Sequence, residues 1–147
     1  MKTIFDTETR TQLTGRIQSL SPDNKALWGK MTAFQMLRHC NKSEELFLGM
    51  KTYKRLFIGR LFGKMALGSI LKDDSPMKKN QPTHPEFRIT GDGDFEAEKE
   101  KWIGLLQRYD HTTAREFVHP FFGRMSPEQI GQYVFKHTDH HLRQFNH

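Results

Sequence analysis

The chain is poor in residues that staple a fold or anchor it in a bilayer. It holds one cysteine, Cys40, among 147 residues, so no disulfide can form within it and a reducing compartment is expected. No apolar run approaches the ~20 residues needed to cross a membrane. Met1 to Asp6 shows no basic start followed by a long apolar stretch, so no secretory signal is expected and a cytoplasmic location is. Internal repeats and low-complexity tracts are absent, which excludes solenoid and linker classes. No convincing alternation of apolar and polar residues predicts a strand.

What is present describes a folded chain with a polar surface. Aromatic residues make up 12% and hydrophobic residues 35%, with a mean hydropathy of -0.73. That is enough for one domain over residues 1–147 with a sizeable core. Lys and Arg outnumber Asp and Glu by 23 to 17, giving a net charge of +6. The basic residues are dispersed, and no zinc-finger or RNA-recognition signature accompanies them, so a solvated surface is preferred to a nucleic-acid interface.

Apolar spacing predicts helices from about residue 7 to 20 on Leu13, Ile17 and Leu20, and from about 94 to 109 on Phe95, Trp102, Leu105, Leu106 and Tyr109. Between them, Thr32 with Gln35 forms a capping-box pattern that opens a helix extending to about Met50. Its inward stripe reads Met36, His39, Cys40, Ser43, Phe47 and Met50. Residues 56–70 are strongly apolar and read as a helix, although Gly59, Gly63 and Gly68 weaken the pattern. Lys54, Arg55, Arg60 and Lys64 do not separate cleanly from the apolar residues, so packing within a crossover is preferred to a membrane-surface role. Residues 72–93 and 110–125 read as loops.

The closing segment is the most informative. Ser126, Pro127 and Gln129 supply an N-cap, a first-turn proline and the capping-box partner. On the helix that follows, Ile130, Tyr133, Val134, His137, His141 and Leu142 share the inner side, and Gln132, Lys136, Asp139 and Arg143 fall mostly on the outer side. His137 and His141, four residues apart, can then reach one metal ion, although core or surface histidines would give the same spacing. Four principal helices with a long link between the second and third suit a four-helix bundle, which would set His39 opposite this pair.

Trp28-Gly29-Lys30-Met31-Thr32-Ala33-Phe34-Gln35-Met36-Leu37-Arg38-His39-Cys40 resembles the second helix of the DinB/YfiT-like superfamily, in which a Gln-x-Leu-x-His pattern supplies the first metal ligand. The segments from His119 to Ser126 and from Lys136 to Phe145 resemble an uncharacterised branch of that superfamily. The resemblance implies an all-α, up-down-down-up bundle with a divalent metal, zinc or nickel before iron, held by His39, His137 and His141. It also implies a small-molecule substrate and a low-molecular-weight thiol co-substrate, for a thiol-dependent S-transferase or a hydrolase acting with metal-activated water. Catalytic residues beyond the ligands are not identified. A non-catalytic metal-binding or stress-response module with a basic surface is the alternative, and homodimerisation is open.

Several neighbours carry two readings. Gln144 and Asp139 are candidate partners for ligating rings, although Asp139 falls on the outer face. His140 reads as a surface residue before a substrate contact. His119 reads as fixing the turn at Pro120 or lining a pocket mouth. Cys40 follows a ligand in sequence, but adjacent helical residues diverge by roughly 100°, so packing is preferred to nucleophilic chemistry.

Overall fold

The computed structural model describes residues 1–110 and 117–147, and the His111 of the second predicted loop lies outside them. The elements follow in the order α1 (Thr7–Gln18), α2 (Ala33–Phe47), α3 (Phe57–Ile70), a single 3-10 turn at Pro85–Phe87, α4 (Phe95–Gln107), β1 (Phe117–His119), β2 (Gly123–Met125) and α5 (Pro127–Gln144). The described residues are thus mostly helical, with five α-helices and a small two-stranded sheet.

Two helix starts obey the residues that mark them. The Thr32 hydroxyl accepts the Gln35 N–H at 3.2 Å while the Gln35 carboxamide oxygen accepts the Thr32 N–H at 3.1 Å. Ser126 and Gln129 repeat this reciprocal arrangement at α5. Each box satisfies backbone donors that a helix start leaves orphaned, which contributes about 1 kcal/mol. Asp94 caps α4 in the simpler way, accepting from the Ala97 N–H at 3.0 Å.

Helix α4 packs against α1 and α2, and α5 packs against the same two helices. Their apolar faces meet in one core that includes Leu13, Ile17, Met36, Leu37, Trp102, Leu106, Tyr109, Val134, Leu142 and Phe145. This is the face predicted from periodicity. Met50 departs from it: α2 stops at Phe47, the chain turns away, and Met50 is left exposed. Lys136 departs in the other direction. It is buried because its ammonium donates to the carbonyls of Ile70 at 2.6 Å and Asp73 at 2.8 Å, around the open C-terminal end of α3.

One further expectation is corrected, and the helical reading of residues 56–70 holds for a reason the sequence hides. Residues 117–125, read as loop, contain a short antiparallel hairpin pairing Phe117 with Met125 and His119 with Gly123. Strands of three residues are too brief to show a period in sequence. The glycines that weakened the helical reading of residues 56–70 are instead its means of attachment. A Cβ at Gly59 would collide with the Phe121 carbonyl oxygen, so only hydrogen allows α3 to press its backbone onto the hairpin loop. Gly63 meets the same oxygen even more tightly. In consequence α3 buries its small side, Gly59, Gly63 and Leu67, rather than its bulky one.

Candidate metal centre

His39 lies on the second turn of α2, facing the core, while His137 and His141 stack one turn apart along α5. The three side chains are buried, and one nitrogen from each lies within 4.8 Å of the others. Among the described residues this is the only cluster of three or more His, Cys, Asp or Glu side chains suited to holding a metal ion. The Nε2 atoms of His39 and His137 stand 3.3 Å apart. Two imidazoles sharing a tetrahedral zinc, with bonds of about 2.0–2.1 Å, have their nitrogens separated by roughly the same distance.

Hydrogen bonds behind the rings set which nitrogen faces the cluster. His39 Nδ1–H donates to the Phe87 carbonyl at 3.0 Å, leaving its Nε2 lone pair inward. His141 Nδ1–H donates to the Gln144 carboxamide oxygen at 2.8 Å, and Gln144 Nε2 in turn donates to the Trp28 carbonyl at 2.8 Å. Because the Trp28 carbonyl can only accept, the carboxamide orientation is fixed, and so is the tautomer of His141. Gly29 permits this contact, since a Cβ there would come within 2.8 Å of Gln144 Nε2 and its φ is +79°. His137 differs: its ring stacks on Tyr133 and its buried Nδ1 has no hydrogen-bond partner among the described residues.

Burial also fixes protonation. It pulls the His137 and His141 imidazoles well below their usual range, with further push from the neighbouring histidines, and it lowers His39 despite its bond to the Phe87 carbonyl. The rings are therefore neutral near pH 7. Neutral imidazoles with convergent lone pairs are the donor set that zinc, nickel or iron accepts, so the residues present fit a divalent ion.

The cluster opens onto a cavity of about 360 Å³. Trp28, Met31, Phe87 and Tyr133 form apolar walls; among the described residues Lys30 and Arg88 are the Lys, Arg, Asp or Glu side chains that line it. His140 also borders this space, with its ring 5.5 Å from the Trp28 ring, so it is more than a surface residue. His119 does not border it. Its Nδ1 accepts the backbone N–H groups of Phe121 and Phe122 at 3.1 and 3.2 Å, which fixes the hairpin turn. Asp139 faces away and pairs with Arg16 at 2.8 Å and Arg143 at 2.6 Å. The Cys40 thiol is fully buried, and that burial pushes it well above its usual range, so it packs as an apolar group. Phe87 and Arg88 went unnoticed in sequence because they lie in a loop without periodicity, and the contribution of Phe87 is a backbone carbonyl.

The Trp28–Gln144–His141 relay makes a measurable claim. Gln144→Ala leaves the His141 Nδ1–H without its acceptor and frees the ring to turn. The expected outcome is a loss of metal affinity of roughly 10- to 100-fold, read by competition with a chromophoric chelator. Unchanged affinity would show that Gln144 orients nothing.

No curated protein and no solved structure matches the chain. A family model does, one described as a protein of unknown function (DUF1569), and it covers residues 5–147. The chain therefore belongs to the DUF1569 family.

Proposed function

We propose that the chain is a cytoplasmic, metal-dependent enzyme, one domain over residues 1–147, built as a DinB-like four-helix bundle of up-down-down-up order. The observation that carries this reading is the convergence of three buried, neutral histidines, His39, His137 and His141, at the floor of a cavity. The packing of α4 and α5 against α1 and α2, with the long link between α2 and α4, supports the bundle. Three protein ligands leave an open coordination position, as catalytic rather than structural sites do.

A divalent ion held there would lower the pKa of a thiol or water in the open position and keep its conjugate base available near neutral pH. The remaining work belongs to the chain. Phe87 and Gln144 hold the tautomers of two ligating rings, and Trp28, Met31 and Phe87 exclude water from one side of the cavity. Lys30 and Arg88, unopposed by a lining carboxylate among the described residues, favour a small substrate that carries negative charge. Thiol-dependent S-transfer with a low-molecular-weight thiol is the leading reaction, and hydrolysis is the second.

Protein purified without a nickel column is expected to contain, or to take up, about one zinc or nickel per chain. Thiol transfer to a model electrophile should then depend on that metal. Failure to take up either ion would remove the metal centre. Full loading without turnover across bacillithiol, glutathione and coenzyme A panels, and without hydrolysis of model esters, would favour the other reading, a non-catalytic binding module. Among the described residues no carboxylate lines the cavity to act as general base, which favours that alternative.

A further inference from the structure

Helix α3 is attached with its bulky side outward. Phe57 is 74% exposed, Ile58 57%, Leu61 64%, Phe62 48% and Met65 69%. Isolated exposed apolar side chains need no explanation, but five on one helix form a contiguous face. At about 100° per residue these five occupy one arc of the wheel, opposite the arc of Gly59, Gly63 and Leu67 that meets the hairpin. Arg60 and Lys64 stand together along one border of the apolar arc. The large residues and the basic residues therefore do segregate, once the buried glycine side is known.

The charge on the helix itself has one sign. Between Phe57 and Ile70 the charged residues are Arg60 and Lys64, with Lys54 and Arg55 just ahead of the helix; Lys51 and Lys72, further out, pair with Glu45 and Asp73 at 3.5 Å each. Arg60 and Lys64 are exposed and have no ion-pair partner among the described residues. No helix of the described residues is long and apolar enough to cross a membrane, so a bilayer partner would be met at its surface.

We propose that the outer face of α3 docks on an anionic lipid surface, with Phe57, Leu61 and Met65 entering the headgroup boundary and Arg60 and Lys64 meeting lipid phosphates. An apolar face with a cationic border is what such a surface recognises. A second copy of the chain fits less well, because an antiparallel symmetric pairing of α3 with α3 would bring two cationic borders together with no carboxylate on either helix. The proposal is independent of the metal centre.

The test is flotation of the full chain with vesicles of phosphatidylcholine alone and with vesicles in which a third of the lipid is phosphatidylglycerol. Wild-type protein should float with the anionic vesicles, remain behind with the neutral ones, and be released by high salt. Leu61→Ser/Met65→Ser and Arg60→Gln/Lys64→Gln should each lower partitioning on the order of tenfold. All four positions are exposed, so far-UV circular dichroism and metal uptake should match wild type. Equal flotation with both vesicle types, flotation with neither, or unaffected variants would overturn the proposal. A lipid-free dimer that Leu61→Ser/Met65→Ser converts to monomer, without vesicle binding, would assign the face to a second copy.

Discussion

His141→Ala is expected to lower zinc affinity on the order of a hundredfold to a thousandfold and to abolish the rise in melting temperature that zinc gives the wild-type protein. The size follows from the ligand count. A structural zinc site binds with roughly 10–16 kcal/mol in all, so one of three protein ligands carries several kcal/mol. The thermal effect follows by mass action, since an ion that binds only the folded chain stabilises it in proportion to the logarithm of its concentration over Kd. His39→Ala and His137→Ala should behave alike, because the three nitrogens lie within 4.8 Å of one another and answer to one ion. Replacing His119, whose ring accepts two hairpin N–H groups instead, should destabilise the turn without changing metal stoichiometry. A His141→Ala protein that retains one tightly bound zinc would show that the ion sits elsewhere.

Glu44→Gln should shift the pH dependence of stability by about 3 kcal/mol relative to wild type between pH 4.5 and 8. Glu44 is fully buried between α2 and α4, where it accepts the Tyr109 hydroxyl at 2.6 Å. Burial, opposed in part by the Tyr109 hydroxyl and the Trp102 indole, pushes its carboxyl from 4.5 up to about 7. Between those values the folded chain keeps a proton that the unfolded chain has released, so this group makes the protein less stable as pH rises. Over about 2.5 pK units at 1.36 kcal/mol each, that is the 3 kcal/mol expected. Glutamine keeps an acceptor for Tyr109 and removes the titration. Urea unfolding of both metal-free proteins at pH 4.5, 6 and 8 reads the difference, which should grow with pH in favour of the variant. Parallel profiles would show that Glu44 ionises normally. The buried histidines act in the opposite direction, because their neutral forms lend stability that is lost as pH falls below 6.5 in both proteins, and the comparison cancels them.

Neither of these sites was equally visible beforehand. The α5 histidines could be read because helical periodicity places residues 137 and 141 on the same face as Ile130 and Val134, and because Ser126, Pro127 and Gln129 mark where the helix begins. His39 came from the stripe on α2 together with the Gln35-to-His39 resemblance. Glu44, one turn beyond Cys40 on the same helix, stands beside Glu45 among polar residues and gives no sign of burial until the segment that follows α4 brings Tyr109 against it. Gln144 was named as a partner for a ring, but its role depends on the Trp28 carbonyl, 116 residues away in the chain.

The sequence alone determined the helices that carry strong period and caps, their apolar faces, and the inward placement of His39, His137 and His141. These are local properties, set by side-chain order along roughly 3.6 residues per turn. Tertiary structure decided the rest: the short hairpin, the carbonyl and carboxamide that fix two imidazole tautomers, the burial of Lys136 and Glu44, and the outward face of α3. Each depends on a surface brought from elsewhere in the chain. The glycines of α3 show the reason most plainly. In sequence they count against a helix, and only the approach of the Phe121 backbone turns them into the side on which the helix rests.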